Sequence, residues 1–168
     1  MMGLTGPCFG WKLMLMDEPV EFDDQSKGRD YLSITFCISS DRMDPDSITE
    51  QLGIQPTSIR LRGTPIRNGI LRRPEFDLHE WWLRKELPLS EGFLEQEAAE
   101  RFISDFLSGL MSAAGSIHAL SEHHSVSVQL VYHMKYIPCI GLTRDHVRVI
   151  AALGARLDYD MMVDTVPV

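Results

Sequence analysis

The most informative segment of the chain is residues 41–73, DRMDPDSITEQLGIQPTSIRLRGTPIRNGILRR. Its first part predicts a short helix over residues 45–53, because Asp44 suits the N-cap and Pro45 suits the first helical position. Gly53 ends this helix, since glycine readily adopts the left-handed conformation of a C-terminal cap. A helix of about two turns is marginal by itself, so the rest of the domain must bury its apolar side.

The second part of the stretch is rich in arginine. Residues 57–75 contain five arginines and one glutamate, a net charge of +4, whereas the whole chain carries −8. The five are Arg60, Arg62, Arg67, Arg72 and Arg73. Residues 57–61 predict a short strand whose arginines face water, and the glycines, prolines and asparagine that follow predict a long loop.

These arginines have two interpretations. They could bind a phosphate, a carboxylate ligand or an acidic partner through bidentate hydrogen bonds, and binding groups concentrate on loops of this kind. They could instead pair with the chain's own carboxylates, including Asp158 and Asp160, in surface ion pairs that contribute less than ~1 kcal/mol each. The pattern is compatible with both interpretations.

Four further strands are predicted outside this stretch, over residues 31–39, 78–87, 125–136 and 156–163. The first of them places a wholly apolar set on the face that must be core, namely Leu32, Ile34, Phe36 and Ile38. In the second strand the neighbours Trp81 and Trp82 must point to opposite faces. One of them is therefore expected in the core, and the other is either covered by a loop or exposed as a contact residue.

Two more helices complete the pattern. Residues 92–120 carry apolar side chains every three or four positions, which predicts the longest helix, and Gly109 and Gly115 predict a bend or a break in it. Its predicted buried stripe is Leu94, Ala98, Phe102, Phe106, Leu110, Ala114 and Ile117. Thr143 caps a final helix that stops at Gly154. The residues of that helix expected to be buried are Val147, Ile150, Ala151 and Leu153.

The predicted elements run β-α-β-β-α-β-α-β. The first six match a ferredoxin-like unit, so the predicted fold is α+β, a ferredoxin-like βαββαβ two-layer sandwich extended by a C-terminal helix and strand. Residues 31–168 are expected to form a single domain of ordinary length. Residues 1–30 are an acidic leader that is expected to be poorly ordered or loosely packed.

The order of these motifs resembles one protein family. The segments that carry the resemblance are DPDSITEQLGIQPT, the Arg62-Gly63 pair, Trp81 with Trp82, the long helix and LGARLDYDMM. Their order and spacing, over about residues 31–163, resemble the bacterial domain-of-unknown-function family 4279. The resemblance implies a small α+β bacterial domain of unassigned activity, and it implies no catalytic residue.

The sequence contains no complete motif for a catalyst, a metal or a cofactor. Histidines crowd the last third of the chain, but neither HxxxH nor HExxH is formed, so no metal is predicted. There is no GxSxG, Walker loop or GxGxxG, and no catalytic residue or cofactor is predicted. Asp158 and Asp160 lie on one strand face roughly 7 Å apart and could serve glycosidic or metal chemistry.

Composition bounds the compartment and the partners. The net charge of −8 opposes binding to nucleic acid, whose phosphates attract basic surfaces. No apolar run approaches the roughly 18 residues of a membrane span. Cys8, Cys37 and Cys139 are scattered and form no CxxC pair, which favours a reducing cytoplasm over a disulfide framework.

Two functions are compatible with these patterns. The first is a binding domain, for example an immunity or inhibitor protein that covers a basic protein partner, since opposite charges would accelerate the encounter. Its acidic surface would come from the leader and from Asp41, Asp44, Asp46, Glu95, Glu97 and Glu100. The alternative is a sensor or an enzyme for an anionic small molecule, which would be held by Arg60, Arg62 and whichever of Trp81 and Trp82 is exposed.

Overall fold

Residues 30–64, 76–89, 95–134 and 141–163 are described by a computed structural model of the protein. The predicted leader, apart from Asp30, lies outside the described residues. In chain order the elements are β1 (Tyr31–Ser40), α1 (Pro45–Leu52), β2 (Ser58–Arg60), β3 (His79–Pro88), α2 (Gln96–Leu110), α3 (Ala114–Ser121), β4 (Ser125–Met134), α4 (Arg144–Ala152) and β5 (Arg156–Val163). In this part of the chain, no helix is long and apolar enough to cross a membrane.

The strands form one five-stranded sheet in the order β2-β3-β1-β4-β5. Strand β1 is central and antiparallel to both β3 and β4, so that Ile38 lies opposite Trp81 on one side and Val126 on the other. Strand β2 pairs antiparallel with β3, whereas β5 pairs parallel with β4. The fold is therefore α+β, as predicted, but the sheet is mixed and is not a simple ferredoxin-like sheet of four antiparallel strands.

The hydrophobic core lies on one face of this sheet. The predicted apolar face of β1 is fully buried, and alternate residues of β4 continue it. The sheet residues of this core are Leu32, Ile34, Phe36, Ile38, Trp81, Val126, Val128, Leu130 and Tyr132. All four helices contribute side chains to the same buried cluster, so the helices form one layer and the sheet forms the other.

Helix α1 begins and ends where the sequence predicts. The Asp44 carboxylate accepts a hydrogen bond from the Ser47 N–H at 3.0 Å, and Pro45 occupies the first turn. Gly53 has a φ of 66° and donates its N–H to the Thr49 carbonyl at 2.9 Å. Burial of Ile48 and Leu52 supplies the tertiary contact that so short a helix requires.

The long predicted helix is broken in two, as its glycines indicate. A short 3-10 turn at Met111–Ala113 separates α2 from α3. The buried stripe is displaced from the predicted one at the start of α2. Ala98 and Phe102 are only half-buried, whereas Ala99 and Ile103, the residues that follow them, are fully buried. The buried residues of α2 are Ala99, Ile103, Phe106, Leu107 and Leu110. Leu94 lies outside the described residues.

The predicted burial of α4 is wrong at two positions. Val147 is 50% exposed and Ala151 is also exposed, whereas Ile150 and Leu153 are buried as predicted. His146 takes the expected place of Val147 at 4% exposure. Helix α4 packs against α2 and β5, and its buried stripe therefore follows His146 and Ile150.

The exposure predicted around β2 is wrong for Arg60, whereas Arg62 is exposed as predicted. Ile59 is 42% exposed and Leu61 is 48% exposed, while the Arg60 side chain is only 27% exposed. Strand β2 has three residues and lies at the edge of the sheet, so its apolar side chains extend past most of the helical layer. Arg60 is covered instead by aromatic rings on the other face of the sheet.

Candidate functional site

The face of the sheet opposite the helices, named here the open sheet face, is lined by polar side chains. Its centre is the row of small residues along β1, namely Ser33, Thr35, Cys37 and Ser39. Ser33 and Thr35 are 2% and 5% exposed, although no helix of the described residues covers them. Larger side chains flank this row: Cys37 lies opposite Trp82, and Thr35 lies between Arg84 and Gln129. The open sheet face is therefore a shallow trough along β1.

One end of the trough contains an arginine held between aromatic rings. The guanidinium carbon of Arg60 lies 4.1 Å from the centre of the Trp82 ring and 5.0 Å from that of Phe76. Its Nη1 donates to Glu80 Oε2 at 3.2 Å. Pairing of β2 with β3 creates this cluster, because it sets Arg60 opposite Glu80 and Ser58 opposite Trp82. The cation is oriented by the rings and its charge is compensated by a carboxylate.

Thr57 is hydrogen-bonded to the β3 backbone at Trp82 and Arg84. Its hydroxyl accepts from the Arg84 N–H at 2.9 Å and donates to the Trp82 carbonyl at 3.0 Å. The Trp82 Nε1 and the Arg84 Nε are buried without a hydrogen-bond partner in the described part of the chain. The Trp82 indole N–H does not reach hydrogen-bonding geometry with the Cys37 sulfur. It is therefore a buried donor without an acceptor in the described residues.

Cys37 lies in the trough as a protonated thiol. Burial raises its pKa above the ordinary value, and the nearby Glu80 carboxylate adds to that effect. The Ser39 hydroxyl, 3.5 Å from the sulfur, opposes it only in part. A reactive cysteine requires a lowered pKa, so this environment does not activate Cys37 as a nucleophile.

Sequence reasoning missed a buried serine–histidine pair between α2 and α4. Ser104 Oγ lies 2.7 Å from His146 Nε2. The Thr143 N–H donates to His146 Nδ1 at 3.3 Å, and the His146 N–H donates back to the Thr143 hydroxyl at 3.2 Å. Because a backbone N–H can only donate, Nδ1 accepts and the ring proton is on Nε2, directed at Ser104. This tautomer cannot take a proton from the serine, and the pair acts as a helix cap and an interhelical contact.

The structure separates the two tryptophans as predicted. Trp81 is fully buried in the core, where its Nε1 donates to Thr49 Oγ1 at 2.9 Å. Trp82 lies on the open sheet face and is half-buried. Of the predicted site residues, therefore, Trp82 and Arg60 come together, and Trp81 does not join them.

The remaining arginines do not join the cluster in the described residues. The Arg62 guanidinium donates to the Asp41 carbonyl at 3.2 Å. Arg67, Arg72 and Arg73 lie outside the described residues. Arg84 was not among the predicted site residues, although its position two residues after Trp82 in a predicted strand places it on the same face.

The predicted carboxylates lie at the opposite edge of the sheet. Asp158 and Asp160 are on β5, four strand spacings or roughly 19 Å from β2. Asp158 accepts from Arg156 at 2.8 Å, and Arg60 pairs with Glu80, so the ion pairs form within each edge and do not join one edge to the other. The open sheet face thus has an arginine–tryptophan cluster at one edge and two aspartates at the other.

Strand β5 also carries an exposed apolar strip. Leu157, Tyr159 and Met161 are 37%, 43% and 44% exposed. They lie opposite the buried Val128, Leu130 and Tyr132 of β4, which places them on the helical side of the sheet. The helical layer covers the β4 residues well and the β5 residues only in part.

Two further arrangements bear on chemistry. A shallow depression at the start of α2 is lined by Glu95, Gln96, Glu97 and Glu100. It lies in the helical layer, away from the arginine–tryptophan cluster, and it is acidic. Among the described residues, no three His, Cys, Asp or Glu side chains are grouped so that they could hold a metal ion.

Comparison with protein families gives one match. The model of a family described as "Domain of unknown function (DUF4279)" matches residues 30–164. No curated protein and no solved structure matches the chain.

Proposed function

Since the chain belongs to the DUF4279 family of domains of unknown function, we propose from its geometry that it is a binding domain that acts by contact with a protein partner. The observation that carries this proposal is strand β5, an edge strand whose apolar side chains are exposed on one face and whose aspartates lie on the other. An exposed apolar strip beside charged groups is typical of interaction surfaces.

The polar groups of the described residues support binding more than catalysis. The Cys37 thiol has a raised pKa, and His146 directs its ring proton at Ser104. Asp158 is held by Arg156, and Arg60 by Glu80. These pairs satisfy one another within the fold, whereas a catalytic pair would present a base to a nucleophile.

The proposed partner is a basic protein. The chain has 24 acidic and 16 basic side chains, and β5 and the start of α2 both present carboxylates. Complementary charge accelerates association and makes it sensitive to salt. An immunity or inhibitor protein that covers a basic surface of a toxin or an enzyme is the biological role that fits this chemistry best.

A binding experiment tests this function. The immobilised protein is used to select partners from an extract of the cells that encode it, and each candidate is then purified and titrated against the protein at increasing salt. We expect a partner of basic isoelectric point whose affinity falls as salt rises. Retention of acidic or neutral proteins only, or affinities that do not change with salt, would refute the proposal.

A second candidate function is supported by the arginine–tryptophan cluster. A guanidinium stacked on Trp82 and Phe76 is an ordered site that an anionic small molecule could use, with Arg62 as a neighbour in sequence. Thermal unfolding with phosphate, nucleotides and sugar acids distinguishes this function from the first. Stabilisation that is lost in Arg60→Gln and Arg62→Ala but kept in Arg148→Gln, an exposed arginine of α4, would favour the small-molecule function.

We also propose the finer features of fold and location. The strand order β2-β3-β1-β4 with antiparallel neighbours supports a ferredoxin-like unit, to which α4 and β5 are added. An experimental structure that paired these strands differently would contradict this assignment. The scattered cysteines support a bacterial cytoplasmic location, and recovery of the protein from a periplasmic extract would contradict it.

A further inference from the structure

Strand β5 is a long edge strand. It pairs with β4 over eight consecutive positions, from Arg156 opposite Ser127 to Val163 opposite Met134, with no shift of register. No strand of the described ranges lies beyond it, and every second residue of an edge strand directs its N–H and C=O away from the sheet. The other edge strand, β2, has only three residues. Strand β5 is therefore the edge that offers the longer row of backbone groups to another strand.

The side chains of β5 determine which strand would fit that edge. A strand added beside β5 would place alternate residues next to Leu157, Tyr159 and Met161 and the others next to Arg156, Asp158 and Asp160. The first set is apolar and exposed, so it favours apolar neighbours. The second set has a net negative charge, because Arg156 pairs with Asp158 whereas Asp160 makes no ion pair within the described residues, so it favours lysine or arginine beside Asp160.

A second copy of the chain fits this edge poorly in two antiparallel registers. Antiparallel pairing of two β5 strands centred on Tyr159 would set Asp158 directly opposite Asp160 of the other copy, and it would do so twice. Centring on Asp158 would set the two Asp158 carboxylates opposite each other, although Arg156 would then face Asp160. Like charges directly opposite one another destabilise a sheet. Self-association in these two registers is therefore disfavoured, and the charge of Asp160 favours a basic partner strand.

We propose that β5 accepts an extended segment of a partner protein as a sixth strand, and that this segment alternates basic with apolar residues. This inference rests on the proposed binding function and specifies its surface and chemistry. The backbone groups of β5 supply the hydrogen bonds of the added strand, and its two faces supply the specificity. Charge repulsion between two copies of β5 opposes self-pairing in the registers centred on Tyr159 and Asp158.

Hydrogen–deuterium exchange of the full chain tests this proposal. The probe is an octapeptide in which lysine and valine alternate, compared with an octapeptide of alternating glutamate and valine. We expect the basic octapeptide to slow exchange in residues 156–163 saturably, and the acidic one to leave it unchanged. Asp158→Lys combined with Asp160→Lys should weaken binding of the basic octapeptide by about tenfold or more. The matched control is Asp105→Lys with Glu122→Lys, exposed positions in the helical layer, which changes the net charge equally and should weaken binding less than about threefold.

Each other outcome overturns the inference. Absence of protection at residues 156–163, equal protection by both octapeptides, or equal weakening in both double variants would show that β5 is not a basic-strand acceptor. Protection that grows with protein concentration alone, together with a dimer mass in light scattering, would assign the edge to a second copy. If a basic partner found by selection binds without protecting residues 156–163, the binding function stands and this surface is wrong.

Discussion

Gly53 and Gly154 form a matched pair for testing how the helices are joined to the rest of the fold. Both have a φ of 66°, in the left-handed region, and both follow a helix. Their surroundings differ. A Cβ at Gly53 would have no atom within 4 Å, whereas one at Gly154 would lie 2.9 Å from Ser121 Cβ and 3.2 Å from His118 Nδ1, and closer still to Ser121 Oγ.

Alanine at these two positions should therefore have different costs. Left-handed backbone costs an L-residue about 1–2 kcal/mol, and the lower entropy of the unfolded chain returns about 0.4–1 kcal/mol. Gly53→Ala should thus lower the free energy of unfolding by about 1 kcal/mol. Gly154→Ala adds an overpacking cost of about 1–3 kcal/mol, for a total of about 2–4 kcal/mol. The Oγ contact is relieved by rotating Ser121, but the Cβ contact requires movement of the backbone of α3.

Urea denaturation followed by tryptophan fluorescence measures both changes. In thermal denaturation, each kcal/mol of destabilisation lowers the Tm of a domain of this size by about 2–4 °C, so the Tm values of the two variants should differ by several degrees. Ser121→Gly should recover most of the additional loss in Gly154→Ala and none of the loss in Gly53→Ala. Equal destabilisation of the two alanine variants, or no recovery by Ser121→Gly, would refute the placement of α3 against the end of α4.

Three more outcomes are expected. Thr49→Val leaves the Trp81 N–H buried without an acceptor and should cost about 1–3 kcal/mol in urea denaturation, but little when Trp81→Phe has already removed the donor. Burial raises the pKa of Cys37, so the free energy of unfolding should fall as pH rises above the ordinary thiol value. Cys37→Ala should reduce this loss of stability at alkaline pH, measured as urea midpoints between pH 7 and 10. The Ser47 N–H and hydroxyl lower the pKa of Asp44, so the stability that Asp44 contributes should be lost as pH falls below the ordinary carboxyl value. Asp44→Asn should keep stability at pH 7, whereas Asp44→Ala should reduce it. Neither variant should show that acid-dependent loss when urea midpoints are measured between pH 3 and 7.

The elements that local chemistry specifies could be predicted from the sequence. The start of α1 depends on the Asp44 side chain and the Ser47 N–H, three residues apart. The core face of β1 depends on alternation along ten residues. Caps and alternation lie within one segment of the chain, so they can be recognised without knowing which other elements pack against it. The order of strands and helices along the chain follows from them.

Burial within the helices could be predicted only in part. Val147 fits an apolar stripe of α4 by spacing, but the helix is rotated so that His146 points inward to Ser104 of α2. A helix with several apolar positions has more than one plausible stripe, and the element it packs against selects one of them. The exposed strip on β5 has the same origin, because its exposure depends on how far the helical layer extends.

The sequence alone determined that Trp81 and Trp82 face opposite ways, since successive side chains of a strand alternate. That Trp81 is the core residue follows from the packing of the sheet, because it depends on which face of β3 continues the apolar face of β1. Likewise the arginines are visible in the sequence, but pairing of β2 with β3 decided that Arg60 meets Glu80 and Trp82, at the edge of the sheet opposite Asp158. Periodicity is a property of a single segment, whereas a site is a property of several segments, and their arrangement is decided by the packing of the whole chain.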